Sequence, residues 1–135
     1  MQFAEVILPL PLHKLFYYSI PAEMVGSVRP GVRVLEQFGA RKEYASSVTR
    51  VLQAPDETEL KFLISVLDEY PVVLEHQLLQ WSWMASDYMA PVGDVMNAAL
   101  PPGLKLSSQS IVVLDPEVVP DESSMSDALF RLYEA

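Results

Sequence analysis

Short apolar runs closed by proline or glycine fill the first seventy residues. They are Glu5-Val-Ile-Leu-Pro-Leu-Pro-Leu12, Phe16-Tyr-Tyr-Ser-Ile-Pro21, Pro30-Gly-Val-Arg-Val-Leu-Glu-Gln-Phe-Gly39 and Leu60-Lys-Phe-Leu-Ile-Ser-Val-Leu67. This punctuation predicts strands near 2–8, 15–20, 31–38, 44–52 and 60–67, joined by tight turns. Five such strands make a small, partly closed β-barrel. After Pro71 the period changes from two to that of a helix. Leu74, Leu78, Trp81, Ala85 and Tyr88 follow i, i+4, i+3 spacing, so they are expected on one face, packed on the barrel. Met89-Ala-Pro91 breaks this helix, Pro91 suits the first turn of a second, and Val95 to Leu100 continues it until Pro101-Pro-Gly103 stops it. The fold class read from the pattern is α+β.

Beyond residue 106 the pattern is weaker. Ser110-Ile-Val-Val-Leu114 reads as a strand, Pro116 to Ser124 as an acidic loop, and Met125 to Ala135 as a helix with Leu129, Leu132 and Tyr133 on its apolar side. That helix ends with its apolar face unanswered, as at a boundary inside a second domain.

Half of the 135 residues are hydrophobic, enough for one core but short for two complete domains. The net charge of −9 argues against a nucleic-acid binder until its distribution is considered. Residues 1–55 carry six basic and four acidic side chains, a net of +2, and residues 56–135 carry three basic and fourteen acidic, a net of −11. This balance argues against a long basic groove for duplex, because backbone binding needs many Lys and Arg contacts. A pocket for one strand end needs only a few donors and an apolar face for a base.

The chain has no cysteine, hence no disulfide, thiol nucleophile or cysteine-based zinc site. The run Val6 to Leu12 is broken by Pro9 and Pro11 and lacks a basic flank, so it reads neither as a signal peptide nor as a membrane span. A cytoplasmic, monomeric protein without membrane contact is expected. His13 and His76 have no ligand-spaced neighbours, so surface or capping roles are expected rather than metal binding. Asp87 and Asp94 bracket the Pro91 break and read as solvated or capping carboxylates. Trp81 and Trp83 cannot share one helix face, so one is core and the other exposed. No Gly-rich Lys-Ser/Thr loop is present, so P-loop ATP hydrolysis is outside this chain's chemistry.

Strand geometry sends Phe16 and Tyr18 to one face and Tyr17 to the other. The plainest reading is a half-buried edge strand whose aromatics pack. The functional reading is a pocket in which an aromatic stacks on a base, Gly39 lets backbone approach, and Lys61 meets a phosphate or hydroxyl.

These runs, with Leu60-Lys61 and Ser86-Asp-Tyr-Met-Ala-Pro-Val-Gly-Asp-Val-Met-Asn-Ala-Ala-Leu-Pro-Pro-Gly103, resemble the N-terminal 3′-end DNA-binding domain of the primosomal replication-restart helicases, the PriA family. The resemblance covers residues 1–106, barrel 1–70 and helices 74–100. It implies that 107–135 are a linker and the truncated start of a winged-helix domain. It also implies that Phe16, Tyr17, Tyr18, Gly39 and Lys61 bind the 3′ end of a nascent leading strand at stalled or branched forks, with no catalytic or metal residue. Family members commonly carry a small or acidic residue where Tyr17 stands. Glu36-Gln37 replaces a usual Val-Pro, and Ala45-Ser-Ser47 replaces a more apolar, Gly-containing run.

The parent implied is an ATP-dependent 3′–5′ DNA helicase. Its ATP, Mg²⁺ and zinc belong to a helicase portion outside this chain, and its partners are forked DNA, single-stranded-DNA-binding protein and other primosome proteins. The rival from another class is a module binding a peptide by strand addition. A hydrolase using paired carboxylates ranks below both.

Overall fold

A computed structural model of the chain describes residues 1–53, 59–106, 111, 113 and 126. Five strands form one antiparallel sheet: β1 (Gln2–Ile7), β2 (Phe16–Ser19), β3 (Arg33–Phe38), β4 (Lys42–Gln53) and β5 (Leu63–Val66), in the order β2-β1-β4-β3-β5. The two edges approach each other. An isolated parallel bridge joins Ser19 to Phe62, and the Ser19 N–H donates to the Lys61 carbonyl at 2.8 Å. The sheet is therefore a half-barrel whose seam is closed at one point. The helices are α1 (Glu75–Asp87) and α2 (Val92–Ala99), with short 3₁₀ turns at Ala22–Met24 and Pro102–Leu104.

Alternation along the strands builds two cores. Ala4, Val6, Tyr18, Val34, Val48 and Leu63 fill the inside of the half-barrel. Ile7, on the other face of β1, joins Val73, Leu78, Trp81, Met96 and Leu100 to seat the helices on the sheet. Trp81 is buried and Trp83 exposed, as their spacing requires. Removing the Trp81 ring would cost roughly 3–5 kcal/mol.

Close backbone approach fixes the helical layer. A Cβ on Gly93 of α2 would run into the Leu8 and Leu10 carbonyls, so only glycine lets α2 lie against the strap leaving β1. Arg33 anchors the exit from the sheet. Its guanidinium donates to both Asp68 oxygens, at 2.6 and 2.8 Å, and to the Leu104 carbonyl at 2.7 Å, tying β3 to the turn after α2.

Two expectations change. The fifth strand is shorter than 60–67, because residues 61–62 leave β3 and turn toward Ser19 to close the seam. Leu74 and Tyr88 are exposed, at 55% and 70%, rather than packed on the barrel. Leu74 is the extended N-cap of α1, its N–H donating to the Gln77 side chain, and Tyr88 is the non-helical C-cap. Helical spacing places a side chain only within the helix, and both residues stand just outside it. The strand expected at 110–114 and the helix at 125–135 lie outside the described residues, apart from 111, 113 and 126.

Candidate nucleic-acid interface

β2 pairs with β1 so that Phe16 faces Val6 and Tyr18 faces Ala4, while Tyr17 lies opposite Glu5 on the outer face. The β3–β4 hairpin pairs Phe38 with Lys42 and leaves Gly39 to Arg41 as its loop. Gly39 has φ of +74°, a left-handed conformation that glycine adopts without strain, and nothing lies within 4 Å of where a Cβ would stand. Its role is the turn itself. Gln37 closes the turn by donating its amide N–H to the Ala40 carbonyl at 2.6 Å.

The turn meets β2 through aromatic contact. Phe16 and Phe38 meet edge-to-face with centroids 5.0 Å apart, and Phe38 stands 6.4 Å from Tyr44. The buried Tyr18 donates its hydroxyl to the Gln37 carbonyl at 3.3 Å. From the third side comes Lys61, whose ammonium donates to the Gly39 carbonyl at 2.8 Å. One open cleft of about 310 Å³ results, lined by Phe16, Tyr17, Tyr18, Gly39 and Lys61. All five residues expected at the site share it.

Gln37, Phe38, Glu59 and Leu60 complete the lining. Phe38 is adjacent to an expected residue, but Glu59 lies in an acidic stretch with no apolar periodicity and gave no signal of a site. Glu59 adds an acidic side chain to the cleft that Lys61 lines, which favours a ligand with little charge of its own there.

Two buried carboxyls flank the cleft on opposite faces of the sheet. Glu5, on the outer face, accepts from the Tyr17 hydroxyl at 2.9 Å, from Thr49 at 2.7 Å, and from Arg50 Nε and Nη2 at 3.0 and 2.8 Å. Burial pushes its pKa up, but the hydrogen bonds from Arg50, Thr49 and Tyr17 and the Arg50 charge outweigh this and hold it below 4.5. The same hydrogen bond raises the Tyr17 phenol above 10.0.

Glu36 points into the barrel. Ser46 donates to its Oε1, and its Oε2 has no partner. Burial pushes this carboxyl up to about 8, only partly offset by Ser46. Burial, with Glu36 nearby, pushes the Tyr18 phenol to about 12.

Among the described residues no three His, Cys, Asp or Glu side chains gather to hold a metal ion, and no helix is long and apolar enough to cross a membrane.

Comparison with known proteins gives the chain a family. A sequence profile described as the 3′ DNA-binding domain (3′BD) matches residues 5–101. Replication restart protein PriA of Bacillus subtilis is 33% identical over 110 residues, covering 78% of this chain and 14% of that protein. PriA of Haemophilus influenzae is 31% identical over 115 residues, covering 82% and 15%. PriA of Treponema pallidum is 28% identical over 102 residues, covering 72% and 16%. The chain thus spans about one-seventh of the length of the curated relatives it matches. With the profile spanning the half-barrel and both helices, this chain belongs to the PriA 3′ DNA-binding domain family.

Proposed function

We propose that the cleft between β2, the β3–β4 turn and the segment entering β5 takes the 3′-terminal nucleotide of a nascent leading strand at a stalled or branched fork. The observation that carries this is the convergence of three chain segments on one cleft, with the rings of Phe16 and Phe38 beside the ammonium of Lys61. Rings offer a base a stacking face, and the Lys61 ammonium, held at the mouth by the Gly39 carbonyl, has donors left for a terminal phosphodiester or hydroxyl. Carbonyls and Glu59 around it disfavour added negative charge.

A short strand ending in a 3′-hydroxyl should bind at least tenfold tighter than its 3′-phosphorylated copy, measured by fluorescence anisotropy. Equal affinity would refute end capture. Lys61→Ala should weaken binding several-fold with an unchanged melting temperature, since Lys61 is exposed.

Strand addition by a peptide fits less well. The free edge of β2 is partly spent, because the Ser19 N–H already bonds to Lys61.

In this reading residues 1–106 form the DNA-binding unit, and 107–135 are a linker and the start of a winged-helix domain. The full-length protein is an ATP-dependent 3′–5′ helicase of the cytoplasm. Its ATP, Mg²⁺ and zinc are held outside this chain, and it acts as a monomer with single-stranded-DNA-binding protein and other primosome proteins.

A further inference from the structure

A second cleft, of about 270 Å³, opens between the segment entering β2 and the facing ends of α1 and α2. His13, Lys14 and Leu15 form one wall, and Ser82 and Ser86 of α1 with Val92 of α2 form the other. We infer that it holds the phosphodiester backbone of the bound strand a few nucleotides upstream of its 3′ end. The inference rests on the end-capture reading of the first cleft.

Three observations lead there. The clefts are neighbours through two residues: Lys14 lines the second, Phe16 lines the first, and the Lys14 ammonium lies 5.1 Å from the Phe16 ring centroid. A strand leaving the Phe16 ring therefore passes Lys14 next. The Lys14 ammonium makes no ion pair with any described residue, in contrast to Arg33 and Arg50, whose guanidinium groups are already taken by Asp68 and Glu5. It is available to a phosphate without breaking an ion pair, at the cost only of its contact with the Phe16 ring. Opposite it, Ser82 and Ser86 stand four residues apart on one face of α1 and are both exposed, as are His13 and Lys14. An ammonium, an imidazole and two hydroxyls around a shallow cleft supply donors for phosphate oxygens, and only the small His13 ring offers a base a face, against the Phe16 and Phe38 rings of the first cleft. The first cleft thus has the stacking surface and the second the backbone donors, the division of labour that a single strand needs.

The test compares a dinucleotide and a pentanucleotide, both with free 3′-hydroxyls, titrated against the protein over a salt series. The pentanucleotide should bind several-fold tighter, with a log–log salt slope steeper by about 0.7 for each further phosphate engaged. Lys14→Gln should remove about 0.7 from the pentanucleotide slope. Because Lys14 also touches Phe16, Ser86→Asp on the opposite wall is the cleaner variant. It should weaken the pentanucleotide several-fold and leave the dinucleotide unchanged. Equal affinity for the two lengths, or an equal loss for both with Ser86→Asp, overturns the inference. A 3′-phosphorylated dinucleotide serves as the separate control. If it binds as well as the hydroxyl form, the end-capture reading fails, whereas its rejection together with length-independent affinity removes only the second cleft.

Discussion

The two faces of the sheet treat a buried glutamate in opposite ways. On the outer face Glu5 sits in a ring of donors, with Tyr17, Thr49 and Arg50 serving both of its oxygens. In the barrel interior Glu36 is as completely buried, yet one hydroxyl serves one oxygen and the other is left bare. Burial pushes both pKa values up. The donors reverse that for Glu5, while Glu36 is left at about 8. Burial alone therefore does not decide the charge of a carboxyl here; the number of donors facing it does. Glu5 is an ion that binds β1, β2 and β4 together. Glu36 is largely a neutral acid at pH 7, beneath a cleft whose wall, Tyr18, it faces.

The sharpest way to break this comparison is with pH. Glu36 has a folded pKa above its unfolded value, so the folded protein holds a proton that the unfolded chain has lost. Its contribution is full below about 4.5 and declines as pH rises toward 8, by a total on the order of a few kcal/mol. Glu36→Gln keeps the shape and cannot titrate. Denaturant unfolding from pH 5 to 8 should show stability falling in the natural sequence and staying nearly flat in the variant. Parallel slopes would show that Glu36 is ionised and has a partner.

Much of this contrast was legible in the sequence, and the missing part is instructive. Val32, Val34, Glu36 and Phe38 share one parity in a strand, so alternation already turned Glu36 toward the core. Its departure from the family pattern marked the same position. Five strands, both helices and the Phe16, Gly39 and Lys61 cluster also followed from local pattern or resemblance. What could not be read was register. The partners of Glu5 come from sequence positions 17, 49 and 50, and two irregularities, between Glu5 and Val6 and between Leu35 and Glu36, shift the pairing. A bulge moves side chains between faces without an obligatory sequence mark. The closure of the seam by Ser19 and Lys61 is likewise a tertiary event, invisible in the alternation of either segment.

A smaller effect tests the other half of the comparison. Glu5 has a folded pKa below its unfolded one, so its contribution is present above about pH 4.5 and lost as pH falls through the folded value. Glu5→Gln should cost roughly 1–2 kcal/mol at pH 7. The cost stays modest because the Arg50 side chain, 64% exposed, returns to water once its partner is gone. Unfolding at pH 7 and at pH 3 should show the gap between variant and natural sequence narrowing in acid. A gap that is the same at both values would mean that Glu5 acts by packing rather than by charge.

The smallest expected effect separates stability from recognition at Tyr17. Tyr17→Phe keeps the ring and removes one donor among several to Glu5, so the loss should stay below about 1 kcal/mol. The hydroxyl is spent on Glu5, 2.9 Å away on the outer face, and so is not free to read a base edge. Tyr17→Phe should therefore leave the ranking of the four 3′-terminal bases unchanged in a competition series with oligonucleotides differing only at that base. Tyr17→Asp is a different matter. It sets a second carboxylate opposite Glu5 in the ladder, and its destabilisation should be relieved when Glu5→Gln is added. If Tyr17→Phe instead alters base preference, the hydroxyl leaves Glu5 when DNA binds. The outer-face carboxyl would then lose a donor at that moment, and the difference between the two glutamates would narrow in the complex.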